Sequence, residues 1–351
     1  MSLLALEVEG LRCLQQVRLE LHPSVNLITG ANGAGKTSLL EAIYLLGRGR
    51  SFRTRLTERL IHHQAQGLAV FGRLDAAAYP TVGLGFDRKE GLRARVGGRD
   101  ARSLAELSEA FPVQVVDPGI HRLVEEGPSY RRRWLDWGVF HVEPGFVAAW
   151  SDYSRTLRQR NAALRQRVDP SPWEPELARL GLVLSSARTR TMALLEPHWR
   201  QTLAALLGEP VNLSYYRGWS QDSSLVEALA GHRQRDLERG STGTGAHRFD
   251  VQLRIEGRVA REVLSRGQQK LLGAALALAM ARLVGSENRR PPTLLLDDPA
   301  AELDRPHTEA LLAEIRRLRG QLIVTALHPE EARFGELGRA FHVEHGRVTT
   351  L

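Results

Sequence analysis

Apolar and polar residues alternate along the first hundred positions. Leu4, Leu6 and Val8, then Val17, Leu19 and Leu21, each predict a strand with one buried face. The run Val25-Asn26-Leu27-Ile28-Thr29 is a short β segment ending at Gly30. From Lys36 the spacing changes to Leu39, Leu40, Ile43 and Leu46, which is a helical face. Residues 70–74 and 81–86 read as further strands. From Ser103 to about Leu207 the pattern is mainly helical, with breaks at Pro112, Pro118, Pro144, Pro170 and Pro172. Val147, Trp150, Leu157 and Leu164 outline one apolar face, and Leu177, Leu180, Leu184, Ala187 and Leu194 another. Neither sustains heptads long enough for a long coiled coil.

Strand signals return after Leu213. The polar Gly/Thr-rich stretch 236–247 predicts a mobile loop, and Val251, Leu253 and Ile255 alternate as a strand. A polar turn at Leu264-Ser265-Arg266-Gly267-Gln268 leads into a buried helix through Arg282. An apolar strand Thr293–Leu296, a helix from Pro306 to about Leu318, a strand Leu322–Thr325 and a hairpin complete the chain. The expectation is an α/β protein with a mixed, largely parallel sheet core and an inserted helical subdomain. The division predicted is 1–102, 103–207 and 208–351, the middle segment being the insertion.

Composition changes this picture little, but it removes alternatives. The chain has 351 residues, 42% hydrophobic and 25% charged, as an ordinary globular protein does. Its single cysteine, Cys13, cannot close an internal disulfide. The longest apolar run, Leu271–Leu283, falls short of the roughly 20 residues a membrane helix needs, so a cytoplasmic location is expected. Of 48 basic residues only Lys36, Lys89 and Lys270 are lysine. Genome composition accounts for such a bias as readily as function does. Where nearly every cation is arginine, a retained lysine marks a place for a compact ammonium. The net charge of +8 favours polyanionic partners without naming one.

Gly30-Ala31-Asn32-Gly33-Ala34-Gly35-Lys36-Thr37 matches G-x-x-x-x-G-K-[ST] between a strand and a helix. Its glycines let successive N–H groups turn toward phosphate oxygens, and the following helix, from Ser38 on, adds its dipole. Lys36 is expected at the β/γ-phosphates of ATP and Thr37 on Mg²⁺. The aliphatic run into Asp297 and Asp298 supplies the carboxylates: Asp297 for the metal, Asp298 to polarise the attacking water. Thr325, or alternatively His328, stands where a γ-phosphate sensor is expected, and Gln114 is a further candidate contact.

Two more segments resemble ABC-type ATPases. Leu264-Ser265-Arg266-Gly267-Gln268 is similar to their signature motif, and Ala301-Glu302-Leu303-Asp304 to their D-loop. That likeness implies that Ser265, Arg266, Gly267 and Gln268 face the nucleotide of a second copy, with ATP sandwiched between two protomers. The P-loop and Asp297 are separated by about 260 residues. The intervening segment is too long for a transporter ATPase subunit and lacks the coiled coil of an SMC-like scaffold, the two rival readings.

Along its whole length the chain resembles the RecF family of bacterial recombination mediators. The residues carrying that likeness run from Gly30 to Tyr44, then Gly49-Arg50-Ser51-Phe52-Arg53, Arg131-Arg132, Leu135-Asp136-Trp137 and His141. They continue through Glu143-Pro144-Gly145-Phe146, Arg160-Asn161-Ala162-Ala163-Leu164, the signature, and Leu296 to Asp304. The family's usual Gly-Pro-His-Arg-Asp-Asp segment is here Gly245-Ala246-His247-Arg248-Phe249-Asp250. The resemblance implies an ATP-dependent homodimer that binds DNA at single-strand/double-strand junctions and acts with RecR and RecO to load RecA. It further implies slow, DNA-stimulated ATP hydrolysis. Two arginine clusters fit a phosphate backbone: Arg48, Arg50, Arg53 and Arg55, and Arg155, Arg158, Arg160, Arg165 and Arg167. Solvated arginine-rich faces explain them equally well.

Overall fold

A computed structural model of the chain describes residues 2–299, 303–328 and 338–351, and these form two compact units. Unit 1 comprises Met1–Ile120 with Ala274–Leu351, and unit 2 is His121–Gly273.

Unit 1 carries two sheets. The first is antiparallel, built from β1 (Leu3–Leu11), β2 (Leu14–Glu20), β4 (Gly67–Leu74), β5 (Thr81–Asp87), β6 (Gly91–Val96) and β7 (Arg99–Asp100) in the order β2-β1-β4-β5-β6-β7. The second combines β3 (Val25–Thr29), β8 (Val113–Val116), β12 (Thr293–Asp297), β13 (Leu322–Ala326), β14 (Arg339–Glu344) and β15 (Arg347–Thr350) in the order β15-β14-β3-β13-β12-β8. In it β8, β12, β13, β3 and β14 run parallel. Parallel strands covered on both faces read as continuous aliphatic runs, and every residue of β12 and β13 is buried.

Helix α1 (Lys36–Arg48) lies between the two sheets, touching β1, β4 and β5 on one side and β8, β12 and β13 on the other. Leu39, Leu40, Ile43 and Leu46 are therefore all fully buried, as their spacing predicts. Helix α2 (Leu104–Ala110) packs on α1, and α10 (Arg305–Arg316) connects β12 to β13.

Unit 2 holds α3 (Arg122–Glu125), α4 (Pro128–Val142), α5 (Phe146–Arg165), α6 (Glu174–Leu206), α7 (Leu225–Arg239) and α8 (Ala260–Val263). A small antiparallel sheet, in the order β11-β10-β9, joins β9 (Asn212–Tyr216), β10 (Asp250–Ile255) and β11 (Arg258–Val259). Helix α9 (Arg266–Glu287) begins in unit 2 and ends in unit 1.

Three sequence expectations are corrected. The region from Ser103 is not purely helical: β8 stands between Pro112 and Pro118 at the edge of the parallel sheet. The stretch 236–247 is not a mobile loop. Asp236 belongs to α7, and Thr242, Thr244 and Ala246 are buried. Arg160 is not a DNA-facing cation. It is fully buried, donating to Asp236 (2.8 Å), Thr242 (2.7 Å) and Glu174 (3.0 Å). Its neighbours Arg155, Arg158, Arg165 and Arg167 remain on the surface.

The family-variant segment is also packed. The Arg188 guanidinium stands 3.8 Å from the centroid of the Phe249 ring and donates to the carbonyl of Ala246. Arg131 grips Asp250 through two bonds of 2.9 and 3.0 Å. Tyr153 donates its hydroxyl to His247 Nδ1 at 2.8 Å, while Nε2–H of the same ring reaches the Thr242 carbonyl at 3.0 Å. Burial, with Arg248 and Arg132 adding like charge, depresses the His247 pKa to about 4.

Candidate active site

In an open parallel sheet, ligands are met at the carboxyl ends of the strands. Strand register places Asp297 beside Thr325, and Thr325 beside Ile28, in one row at that end. One residue beyond β3 the chain enters Gly30. Its φ of 149° is glycine territory, and a Cβ there would collide with the carbonyl oxygen of Val343. The loop then delivers Gly35, at φ 122°, directly into α1.

No side chain caps the amino end of α1, and no acid occupies its first turn. Side-chain caps are present at α7, where Ser224 and Glu227 form a reciprocal box, and at α10, capped by Asp304, whereas α2, α4, α5 and α6 start without one, as α1 does. An uncapped helix start ringed by backbone N–H groups suits an anion. Lys36 is buried beside it, donating to the carbonyls of Gly30 (2.6 Å) and Ala31 (3.1 Å). These bonds use two of the ammonium's three donors and leave the third for a phosphate oxygen. Ser38, also buried, accepts a weak bond from the Cys13 thiol at 3.8 Å.

Thr37 and Asp297 meet directly. The Thr37 hydroxyl lies 3.1 and 3.0 Å from the two carboxylate oxygens. A hydroxyl and a carboxylate converging in this way form an oxygen donor set that fits a hard divalent cation. Thr325 completes the cluster: its hydroxyl donates to Asp297 Oδ1 at 2.8 Å and accepts the Asp298 backbone N–H at 2.9 Å. Asp298 is held at φ 48°, a left-handed conformation unusual for a non-glycine residue and unfavourable before Pro299. Strain of that kind persists where the surroundings impose it, and here the Thr325 hydroxyl fixes the N–H. His328 is exposed, three residues further on.

Other anticipated residues are placed more loosely. Gln114 shares the row of Leu294, three residues short of Asp297, so its register does not reach the phosphate-facing end. Asp304 caps α10, accepting from the His307 N–H at 3.0 Å, and that backbone donor, with the His307 ring, holds its carboxyl below the ordinary range. Ala301 and Glu302 lie outside the described residues. In unit 2, Ser265 and Gln268 make a capping box at the start of α9: Gln268 accepts from the Ser265 N–H (3.0 Å), and Ser265 Oγ accepts from the Gln268 N–H (3.3 Å). Ser265 and Arg266 are exposed, and nothing stands within 4 Å of where a Cβ on Gly267 would point.

Among the first arginine cluster, Arg50, Arg53 and Arg55 are exposed. Arg48 is half-buried, 5.7 Å from the Tyr44 ring centroid, and Arg53 is 3.8 Å from Glu41. Glu41 itself was given no role by sequence reasoning. Fully buried on α1, it takes two bonds from Arg12 (2.9 and 3.1 Å) and one from the Ser51 hydroxyl, tying the loop after α1 back to the helix. Its signal was an acid on the otherwise apolar face of α1.

The class follows from the arrangement: a P-loop between β3 and α1, a carboxylate pair ending β12, two strands away in the parallel sheet, and a capped helix behind the signature-like segment belong to an ABC-type ATPase. The model of the RecF/RecN/SMC N terminal domain matches residues 2–348. The chain is 40% identical to the "DNA replication and repair protein RecF" of Pseudomonas fluorescens (strain Pf0-1), covering 99% of this chain and 98% of that one. With the RecF of Pseudomonas aeruginosa PAO1 the identity is 39% at the same coverage. A solved structure of the recombination mediator RecF-ATP of the RecFOR pathway aligns with TM-score 0.89 and 26% identity, covering 100% of this chain and 97% of that one. An SmcHead structure aligns at 0.59 and 16% identity over 100% of this chain and 98% of that one, a likeness of fold alone. The chain belongs to the RecF family.

Proposed function

We propose that this chain is an ATP-gated DNA-binding mediator of recombinational repair. Two copies close on bound ATP, hold DNA at single-strand/double-strand junctions, and with RecR and RecO promote RecA loading. Hydrolysis then reopens the dimer. The observation that carries this reading is the cluster of Thr37, Asp297 and Thr325 beside the uncapped start of α1.

Lys36 and the N–H groups from Gly30 to Ser38 bind the phosphates. The Thr37 hydroxyl and the Asp297 carboxylate would hold Mg²⁺, which when bound would offset the charge on the phosphate oxygens. Asp298 accepts the proton of the water that attacks the γ-phosphorus as the bond to the β–γ bridging oxygen breaks, and ADP leaves with that bond's electron pair. Thr325 keeps the Asp297 carboxylate and the Asp298 backbone in register through its two hydrogen bonds. Ser265, Arg266, Gly267 and Gln268 meet the triphosphate of the second copy, and Asp304 belongs to the same dimer-facing segment. Because the nucleotide binds the closed dimer better than the open chain, it shifts the population, and slow hydrolysis sets its lifetime. Arg50, Arg53 and Arg55 are the exposed cations of the first cluster; Arg53 leans on Glu41, and Arg50 and Arg55 contact DNA phosphates. A cytoplasmic location accords with this role, and no helix among the described residues is long and apolar enough to cross a membrane.

Sedimentation with ATP, ADP or no nucleotide, each with and without a gapped duplex, tests the reading. A dimer only with ATP, stabilised by the gapped duplex, is the expected result. A single-copy particle at saturating ATP, even in Asp298→Asn, would overturn it.

A further inference from the structure

The antiparallel sheet of unit 1 turns one face away from its core. Register aligns Glu9, Ala69, Gly85 and Arg93 in a row across β1, β4, β5 and β6 on that outer face. A cavity of about 610 Å³ lies over the row. Gly85 is not required by packing: a Cβ there would find its nearest neighbour, the Leu68 carbonyl oxygen, at an ordinary 3.8 Å. Pairing of β5 with both neighbours is continuous, so no bulge requires glycine either. A glycine inside a regular strand that neither packing nor a bulge explains marks close approach by another backbone or a ligand.

His62 supplies a second, separate indication. It lines the same cavity and is only 5% exposed. Its Nδ1 accepts the Gln64 N–H at 3.1 Å, which puts the ring proton on Nε2. Among the described residues that Nε2–H has no partner. The ring is buried, and its Nε2–H keeps an accessible edge open to whatever enters the cavity.

Charge selects the visitor. Glu9, Asp87 and Glu90 line the cavity against a single cation, Arg93, which is itself 3.2 Å from Glu90. The backbone N–H groups of Lys89 and Glu90 hold Asp87 ionised. A net negative rim repels nucleic-acid phosphate although the chain as a whole is basic. Its occupant is cationic and presents a hydrogen-bond acceptor.

We propose that this trough docks an extended, arginine- or lysine-bearing segment of a partner protein. The segment's backbone lies over Gly85, one of its carbonyls accepts the His62 Nε2–H, and its cations sit among Glu9, Asp87 and Glu90. Its lining residues include none of Lys36, Thr37, Asp297 and Thr325, so the trough is separate from the nucleotide cluster.

Fluorescence anisotropy with the full chain tests this, using a fluorescein-labelled twelve-residue peptide that alternates arginine and serine, with a glutamate-for-arginine control. The arginine peptide should bind and the control should not. Gly85→Val keeps every charge but fills the floor, and should weaken binding about fivefold or more. Glu9→Gln with Asp87→Asn should weaken it about tenfold. Binding of a fluorescent ATP analogue, unchanged in both variants, reports an intact fold. Full affinity in Gly85→Val, equal binding of the glutamate peptide, or no binding of the arginine peptide to wild type at about 1 mM would each overturn the proposal. Displacement by equimolar spermidine would also overturn it, since the occupant would then be a small cation.

Discussion

At the scale of single residues, Thr325 does more than its position in the last core strand suggests. Its one hydroxyl serves both aspartates, donating to the Asp297 carboxylate and accepting from the Asp298 backbone. Thr325→Val keeps the shape and deletes both bonds, leaving a buried acceptor and donor short of a partner, at a cost of about 1–3 kcal/mol. ATP hydrolysis should fall at least about tenfold, because Asp298 loses the contact that fixes its left-handed backbone, while Lys36 still binds nucleotide. Equal loss of binding and turnover would show that Thr325 acts on the P-loop instead. His247 makes a prediction about pH. Its folded pKa of about 4 lies below the ordinary 6.5, so the folded protein holds it neutral. The stability this represents is full above pH 6.5 and is lost as pH falls toward 4, at most about 3 kcal/mol. Urea midpoints at pH 7 and 4.5 should therefore converge in His247→Gln relative to wild type.

Elements show why part of the molecule was legible beforehand. The P-loop strand and helix, and β12 with its terminal aspartates, each follow from a local pattern: a continuous aliphatic run, then a change of period. Helix α7 was missed because it is short of apolar residues, though its start was written in Ser224 and Glu227, a capping box three residues apart. Strand β8 was hidden by its four-residue length between prolines. Arg160 could not be read from sequence at all, because its partners Asp236 and Glu174 lie 76 and 14 positions away and only folding brings them together. A charge cluster counted along the chain says nothing about which member turns inward. Arg160→Met should consequently cost about 3–5 kcal/mol, leaving two buried carboxylates without their shared cation. The loss should appear in the urea midpoint, with little change in the salt dependence of DNA binding. The signature helix behaves differently. Ser265→Ala removes half of the capping box, worth about 1 kcal/mol in α9. If Ser265 also faces a partner's triphosphate, ATP-driven dimerisation should weaken by far more than this term, with monomer nucleotide affinity preserved. Sedimentation beside a fluorescent-nucleotide titration separates the two contributions.

For the whole molecule, the question is how a nucleotide switch governs a grip on a polyanion. A net charge of +8 gives any such chain some affinity for DNA, so binding alone is weak evidence. The informative quantity is the dependence on salt. Each phosphate neutralised by a cation releases counterions and steepens the fall of log K with log salt by about 0.9 on duplex DNA. If Arg50 and Arg55 each meet a phosphate, replacing both with alanine should flatten that slope by about 2 per chain bound. The change should appear with ATP and be absent with ADP, because the closed dimer is the form that holds DNA. A slope unaltered by the double replacement would return both arginines to solvent. A flattening that is the same in ADP would detach DNA contact from closure and leave the nucleotide governing some other event.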